Sequence, residues 1–473
     1  MTTPSRLSHE TASAAGETPL TTPWSESVNK PLMMLRSFAG NPAFLIFVAY
    51  NLANLGNLIF NMLFSRWMGP SLFGDLAVVL TVKLSLVSIF IAVQMAVSRM
   101  VAASGHRSNH LLARLHFYGF CFLTLALPIL IALAVMVDLG GHIGLANPHL
   151  LPMILIIFPI ALPLCLLRGV VQGLMDVTGV MLSVGLEMAV RLIGAILVWK
   201  LGGGIEGITL VIVASVLAGW AVIAPRQQAR LSIRKPGQQG QPADVRLSAF
   251  VFACLPFAVL QFSQVVLLDA EVFVAKMAFS AVDAGYLAAT SLFQRIEFYA
   301  CFGLASVLLP SVSAAVARGE TGLRQAIPII ILFLMVTVTI FAAIWIMPDT
   351  LITLLVGEAF LPARELLPLA AASASAFTLS FLIATFMAGQ GNYAGIWMIA
   401  ACVPVQLGTF LLATFHIPFF HVFDLLAIKV TCQVMLLIGM ALLIFKNGYK
   451  AHKKDINRQS LKLKKGDYPH GSS

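Results

Sequence analysis

Lys83, Arg191, Arg295 and Lys429 each stand eight to eleven residues inside a long apolar run. At 1.5 Å of helix rise per residue those positions lie ~12–17 Å deep. An ammonium or guanidinium at that depth is costly facing lipid, roughly 2.5–3.5 kcal/mol each on insertion scales, so it faces a cavity or a partner. Both groups suit a phosphorylated ligand: arginine offers a planar fork of donors and lysine a point charge. Carboxylates share the same layer. Glu187 lies one turn before Arg191, on the same helix face, where the two can pair. Asp269 and Glu271 are two residues apart and cannot share a face, nor can Arg295 and Glu297. One member of each couple is expected to bridge to another helix. The stretch "LLDAEVFVAKMAFSAVDAGYLAATSLFQRIEF", 267–298, concentrates this chemistry. Its Lys276 and Asp283 fall near helix ends, where a charge is cheap and needs no special account. The layer implies a water-accessible cavity with a mostly cationic wall, and Glu187, Asp269, Glu271 and Glu297 are candidates for coupling to H+ or Na+.

What surrounds these residues is a membrane protein. Of 473 residues, 59% are hydrophobic and 11% charged, against roughly 25% charged in soluble domains. The net charge of +10 does not indicate nucleic acid, because the basic residues lie between and beyond apolar runs and follow lipid topology. The six cysteines form no CxxC pair and read as small core residues, with no metal site. No P-loop, HExxH or GxSxG motif occurs, so neither a nucleotide motor nor an enzyme is expected, and no cofactor.

Twelve runs are long enough to cross ~30 Å of hydrocarbon: 42–65, 73–98, 115–137, 148–168, 178–200, 206–224, 247–277, 284–313, 325–347, 362–388, 393–415 and 421–445. With the N-terminus inside, 22 Lys and Arg fall on the inside, Arg168 among them, and 4 on the outside: Arg66, Lys200, Lys276 and Arg364. Both termini are therefore expected in the cytoplasm. The predicted organisation is a disordered cytoplasmic tail (1–40), a six-helix lobe (41–224), a basic cytoplasmic linker (225–246), a second six-helix lobe (247–446) and a basic cytoplasmic tail (447–473). The longest outer loop is predicted at 348–361, "PDTLITLLVGEAFL".

The two lobes repeat. "FSRWMGPSLFGDLAVV" (64–79) is similar to "VAKMAFSAVDAGYLAAT" (274–290), and "GLMDVTG" (173–179) shares its glycine spacing with "GQGNYAG" (389–395). The offsets are 211 and 216 residues. Six helices separate the copies, so the lobes share one orientation. They should be related by a pseudo-twofold axis along the membrane normal, with substrate between them.

Four stretches, "NLIFNMLFSRWMGPSLFGDLAVV" (57–79), 169–207, 268–298 and "LLVGEAFLPARELLPLAA" (354–371), resemble polysaccharide-transporter flippases. These belong to the multidrug/oligosaccharidyl-lipid/polysaccharide superfamily, which also holds the MATE exporters and the peptidoglycan-precursor flippases. The resemblance covers roughly 40–445. It implies an all-α V-shaped bundle in a bacterial inner membrane. It implies alternating access that turns an undecaprenyl-pyrophosphate-linked oligosaccharide, O-antigen-like or exopolysaccharide, from inner to outer leaflet. Lys83, Arg191, Arg295 and Lys429 would form the cationic cavity, and polysaccharide polymerase and export proteins would be partners. Two alternatives stand beside it: a MATE-like cation antiporter, whose cavity should be acidic, and a peptidoglycan-precursor flippase.

Overall fold

The computed structural model describes residues 42–104, 109–225, 247–416 and 420–464. The expected disordered tail and nearly all of the expected basic linker lie outside these. The described chain is all helix, with no strand.

The first continuous helical run is Pro42–Ser104, broken at Gly69, where φ is 70°. Its apolar part, Val48–Val101, is 54 residues long. That is ~80 Å of helix, more than twice a bilayer core, so the run is two passes. The left-handed φ at Gly69 and the fixed φ of Pro70 behind it make the turn. We call the passes α1 (42–68) and α2 (70–104). The other long helices are α3 (Asn109–Met136), α4 (Leu150–Gly173, two helical pieces), α5 (Val177–Lys200), α6 (Gly204–Ala221), α7 (Leu247–Ala278), α8 (Ala281–Ala317), α9 (Leu323–Ile346), α10 (Leu367–Gly389), α11 (Ala394–His416) and α12 (Val422–Lys464). Ten described runs are long and apolar enough to span. Splitting the first at Gly69 and adding the 37-residue α8 makes twelve.

Three expectations about the elements change. The expected loop 348–361 is a helix, Pro348–Leu355, followed by a 3-10 turn, Glu358–Leu366. Phe360 is buried there and meets Phe73 edge-on at 5.7 Å. The segment closes over the bundle instead of looping into solvent, because Ile352, Val356 and Phe360 have an apolar surface to cover. The last helix runs on to Lys464, well past the predicted 445, since the lysines and leucines that follow favour helix. Span four continues past Arg168 to Gly173.

The repeat is visible in the packing. A Cβ on Gly173 would meet Ser98 O and Val101, and one on Gly389 would meet Leu309 O and Val312. Those contact pairs are again 211 residues apart. α4 thus lies on α2 as α10 lies on α8. α5 also packs on α6 as α11 packs on α12, and α1 on α5 as α7 on α11. The lobes meet along α1 and α2 on one side and α7 and α8 on the other. At the Gly69 end a single core holds Phe60, Phe64 and Phe73 with Ala288, Ala289 and Leu292. Toward the chain termini each lobe has its own core, Ile46 and Ala49 with Val180 in one, Phe298 and Cys301 with Phe381 in the other. There the lobes are bridged where Phe250 and Cys254 of α7 pack with Val97 and Val101 of α2.

Candidate functional site

The N-terminal lobe gathers three cations on one carboxylate. Asp176 caps α5 by accepting from Gly179 N at 3.1 Å, which fixes the helix that carries Ser183, Glu187 and Arg191 on one face at four-residue spacing. Glu187 Oε1 accepts from Lys83 Nζ of α2 at 2.8 Å and from Arg191 Nη2. Glu187 Oε2 accepts from Arg168 Nη2 of α4 at 2.7 Å. Arg191 also donates to Asn57 Oδ1 of α1 at 2.5 Å. Arg168 Nε donates to Ser183 Oγ at 2.9 Å, and that hydroxyl donates on to Gly219 O at 2.8 Å. The four charged side chains are only 5–11% exposed. A carboxylate accepts through two oxygens, and both of Glu187's are taken. Two positive charges stay without a counter-ion, and Arg191 Nε is buried with no acceptor. The cluster thus holds three cations to one carboxylate.

Arg168 was expected as an inside-loop topology signal; instead it is a buried member of this cluster. Hydropathy stops at the first charge, while the helix runs on for another turn and carries the guanidinium inward.

In the C-terminal lobe the two deep bases, Arg295 and Lys429, each pair with an acid. Lys429 Nζ donates to Glu271 Oε1 at 2.6 Å, Gln294 Oε1 at 2.5 Å and Leu268 O at 2.8 Å. An ammonium has three donors, so none is left for a ligand, and Lys429 is 0% exposed. In this conformation it lines no opening. Asp269 Oδ1 accepts from Arg295 Nε at 2.9 Å, and Arg295 Nη2 crosses to Thr81 Oγ1 of the other lobe at 2.9 Å. Both acids of the Asp269–Glu271 couple therefore bridge helices. Glu297 differs: its Oε1 accepts only from Ser375 Oγ at 2.5 Å and Thr337 Oγ1 at 3.2 Å. The eight expected residues thus separate into Lys83, Glu187 and Arg191 in one lobe, two ion pairs in the other, and Glu297.

Lys276 was expected to need no account. It forms a buried ion pair with Asp75 across the lobes, 2.6 Å long, with the two side chains 2% and 1% exposed. A helix end counts as cheap ground only when water reaches it, and here residues 144–146 cover the pair: Ala146 N donates to Asp75 Oδ2 at 3.4 Å. Beside it Arg66 Nη2 donates to Thr353 O at 3.0 Å and to Leu354 O. Asp283, by contrast, is a half-buried first-turn residue of α8 whose N–H donates to the capping Ser280 Oγ and whose carboxylate accepts from that hydroxyl. Toward the termini a cavity of about 190 Å³ lies between α2 and α7, lined by Ala92, Met95, Ala96, Arg99, Phe250 and Phe257. The Arg99 guanidinium sits 5.5 Å from the Phe257 ring centroid.

No family model and no curated protein matches the chain. Solved structures do. An inward-facing multidrug resistance MATE family transporter of the MOP superfamily matches with a TM-score of 0.66 at 15% identity, over 85% of this chain and 96% of that one. The chain has the MATE transporter fold. A eukaryotic MATE transporter matches with a TM-score of 0.60 at 14% identity, over 87% and 96% of the two chains. A Pyrococcus furiosus MOP superfamily transporter, whose description says that reverse polarity of its binding pocket suggests a different function, matches with 0.58 at 14%, over 86% and 96%. On this MATE fold the buried cluster of the N-terminal lobe carries excess positive charge, while in the C-terminal lobe Arg295 and Lys429 each pair with an acid and Glu297 is left over.

Proposed function

We propose that this protein is a flippase that carries a polyprenyl-pyrophosphate-linked oligosaccharide across a bacterial inner membrane by alternating access, for surface or exopolysaccharide synthesis. The observation that carries the reading is the three-to-one ratio of cations to carboxylate around Glu187. A cation exporter needs the opposite sign at that depth. A pyrophosphate brings several anionic acceptor oxygens and would satisfy Lys83, Arg168 and Arg191 together, with Arg295 facing them from the other lobe. The sugars need a wet cavity between the lobes, and the polyprenyl chain can remain in lipid. With the termini in the cytoplasm, the closed Gly69 end is periplasmic and the loading side is cytoplasmic. That the MATE fold hosts pockets of differing polarity is supported by the Pyrococcus furiosus neighbour.

The test is genetic and biochemical. In a strain lacking the gene, plasmid-borne Lys83→Ala, Arg168→Ala and Arg295→Ala should insert in the membrane yet fail to restore polysaccharide at the cell surface. Lipid-linked precursor should accumulate on the inner leaflet. Lys83→Arg should be milder, since it keeps the charge and changes only donor geometry. Full polymer output in all three alanine variants, or drug sensitivity as the sole phenotype of the deletion, would replace this reading with the cation antiporter.

A further inference from the structure

α1 carries amides where a membrane helix is ordinarily apolar. Asn51, Asn54, Asn57 and Asn61 follow one another at intervals of three, three and four residues, along one side of the helix. Asn61 is buried and donates to Asn57 O at 2.8 Å, and Asn57 Oδ1 accepts from Arg191 Nη1 at 2.5 Å. Asn51 and Asn54 are exposed. They stand ~22 and ~18 Å along the helix from Arg66, the charged residue before the Gly69 turn, and so within a hydrocarbon layer of ~30 Å. A primary amide turned to lipid at that depth is costly, because nothing there can bond it.

The neighbours of α1 show where these amides face. Its lipid-facing stripe is Val48, Leu52, Leu55 and Ile59, all exposed, and Asn54 lies about 130° around the helix from the centre of that stripe. Gly56, which packs on Met188 of α5, is about 160° from Asn54. The internal repeat identifies the remaining side. Before the turn the two copies align at an offset of 210 residues, Phe64 with Val274, which puts Gln261 and Gln264 of α7 at the positions of Asn51 and Asn54. Those glutamines share a side of α7 with Phe250 and Cys254, which pack on Val97 and Val101 of α2 in the other lobe. They are 5% and 4% exposed, and Gln264 is hydrogen-bonded to Tyr299. The corresponding side of α1 is therefore turned toward the other lobe, yet Asn51 and Asn54 stay open. One amide pair is closed into the lobe contact, and the other faces the space between the lobes.

The open pair leads to the cationic cluster. At ~4.5 Å for each three-residue step, Asn54 and Asn51 lie one and two steps toward the chain termini from Asn57. Asn57 in turn holds Arg191, whose buried Nε has no acceptor. An amide side chain both donates and accepts, as a sugar hydroxyl does, whereas lysine and arginine only donate. An uncharged row beside a cluster with excess positive charge matches a ligand in which a neutral, hydroxylated part adjoins an anionic one.

We propose that Asn51 and Asn54 form a sugar-recognition subsite, which binds the saccharide joined to the pyrophosphate while Lys83, Arg168 and Arg191 hold the phosphates. The assignment rests on the flippase reading above and adds the residues that set the preference for the sugar.

Binding of two radiolabelled probes to the full chain in lipid nanodiscs tests it. One is farnesyl pyrophosphate, which has no sugar. The other is the lipid-linked oligosaccharide extracted from a strain lacking the gene. Wild type should bind the second more tightly. Asn54→Leu should bind farnesyl pyrophosphate as wild type does and the oligosaccharide lipid roughly tenfold more weakly, the size of one lost hydrogen bond. Adding Asn51→Leu should weaken the oligosaccharide lipid further. Asn54→Gln, which installs the residue found at position 264, keeps the amide and should recover part of the loss. Leucine suits a membrane helix, and melting curves of each variant guard against misfolding. Unchanged oligosaccharide binding in the double variant overturns the proposal, as does an equal loss for both probes. A wild type that binds the two probes equally overturns it as well and leaves the pyrophosphate site standing. A wild type that binds neither rejects the substrate reading itself.

Discussion

At the scale of the residue, Glu187 and Lys429 stand in opposite positions although both are buried and paired. Lys429 is matched by Glu271 and fully bonded. Removing one partner of a buried pair leaves the other uncompensated, at ~3–5 kcal/mol. Lys429→Met should therefore lower the stability of the detergent-solubilised protein by about that much, and adding Glu271→Leu should restore most of it, read as thermal melting in a double-mutant cycle. Glu187 is an internal anion shared by three cations. Glu187→Gln should also destabilise by ~3–5 kcal/mol, but inorganic pyrophosphate should raise the melting temperature of this variant more than that of the wild type, because the competing carboxylate is gone. An equal response in both proteins would show that the cluster is a structural knot and not an anion site. The charged positions themselves could be read from the sequence, since an ionisable residue in an apolar run is a local signal. Their partners could not. That Arg168 joins Glu187, or that Lys276 meets Asp75, depends on which helices lie side by side.

At the scale of the element, close contacts between helices were partly legible, because glycine spacing is a sequence pattern with a steric meaning. Gly74 and Gly285 belong to the two copies of the repeated turn, and they meet: a Cβ on Gly74 would lie 3.4 Å from Gly285 N, and one on Gly285 only 2.0 Å from Pro70 O. The backbones touch where the repeat places them. Gly285→Ala should therefore push α8 away from the Gly69 turn and destabilise the closed end by ~1–3 kcal/mol, in the range of overpacking. Gly185→Ala, on α5 with nothing within 4 Å of the added carbon, should be neutral or slightly stabilising, as expected for alanine in a helix. Paired melting curves measure both. The segment 348–361 reads as a loop in the sequence because it is short, opens on a proline and is flanked by charge. What makes it helical is the apolar surface beneath it, and no local window contains that information.

At the scale of the whole molecule, the lobes share a core at the Gly69 end and have separate ones toward the termini. An alternating transporter must be able to undo the first arrangement. The buried Asp75–Lys276 pair is the principal polar contact to be broken, assisted by Arg66 on the carbonyls of Thr353 and Leu354. Lys276→Met leaves Asp75 facing an apolar side chain and should bias the molecule toward opening at that end. On a background with the six native cysteines replaced by serine, a cysteine at Ala284, fully buried beside the Gly69 turn, should react with a membrane-impermeant thiol reagent faster in Lys276→Met than in the parent. Equal rates would mean that the pair does not hold this end shut.

The two unbalanced positive charges around Glu187 have an electrical consequence. A lobe that rocks with net charge at mid-depth moves that charge through part of the membrane voltage, worth ~2.3 kcal/mol for each elementary charge carried across a full 100 mV. A doubly anionic headgroup on Lys83, Arg168 and Arg191 would cancel it. Voltage would then act mainly on the return of the empty carrier, and hardly on the loaded crossing.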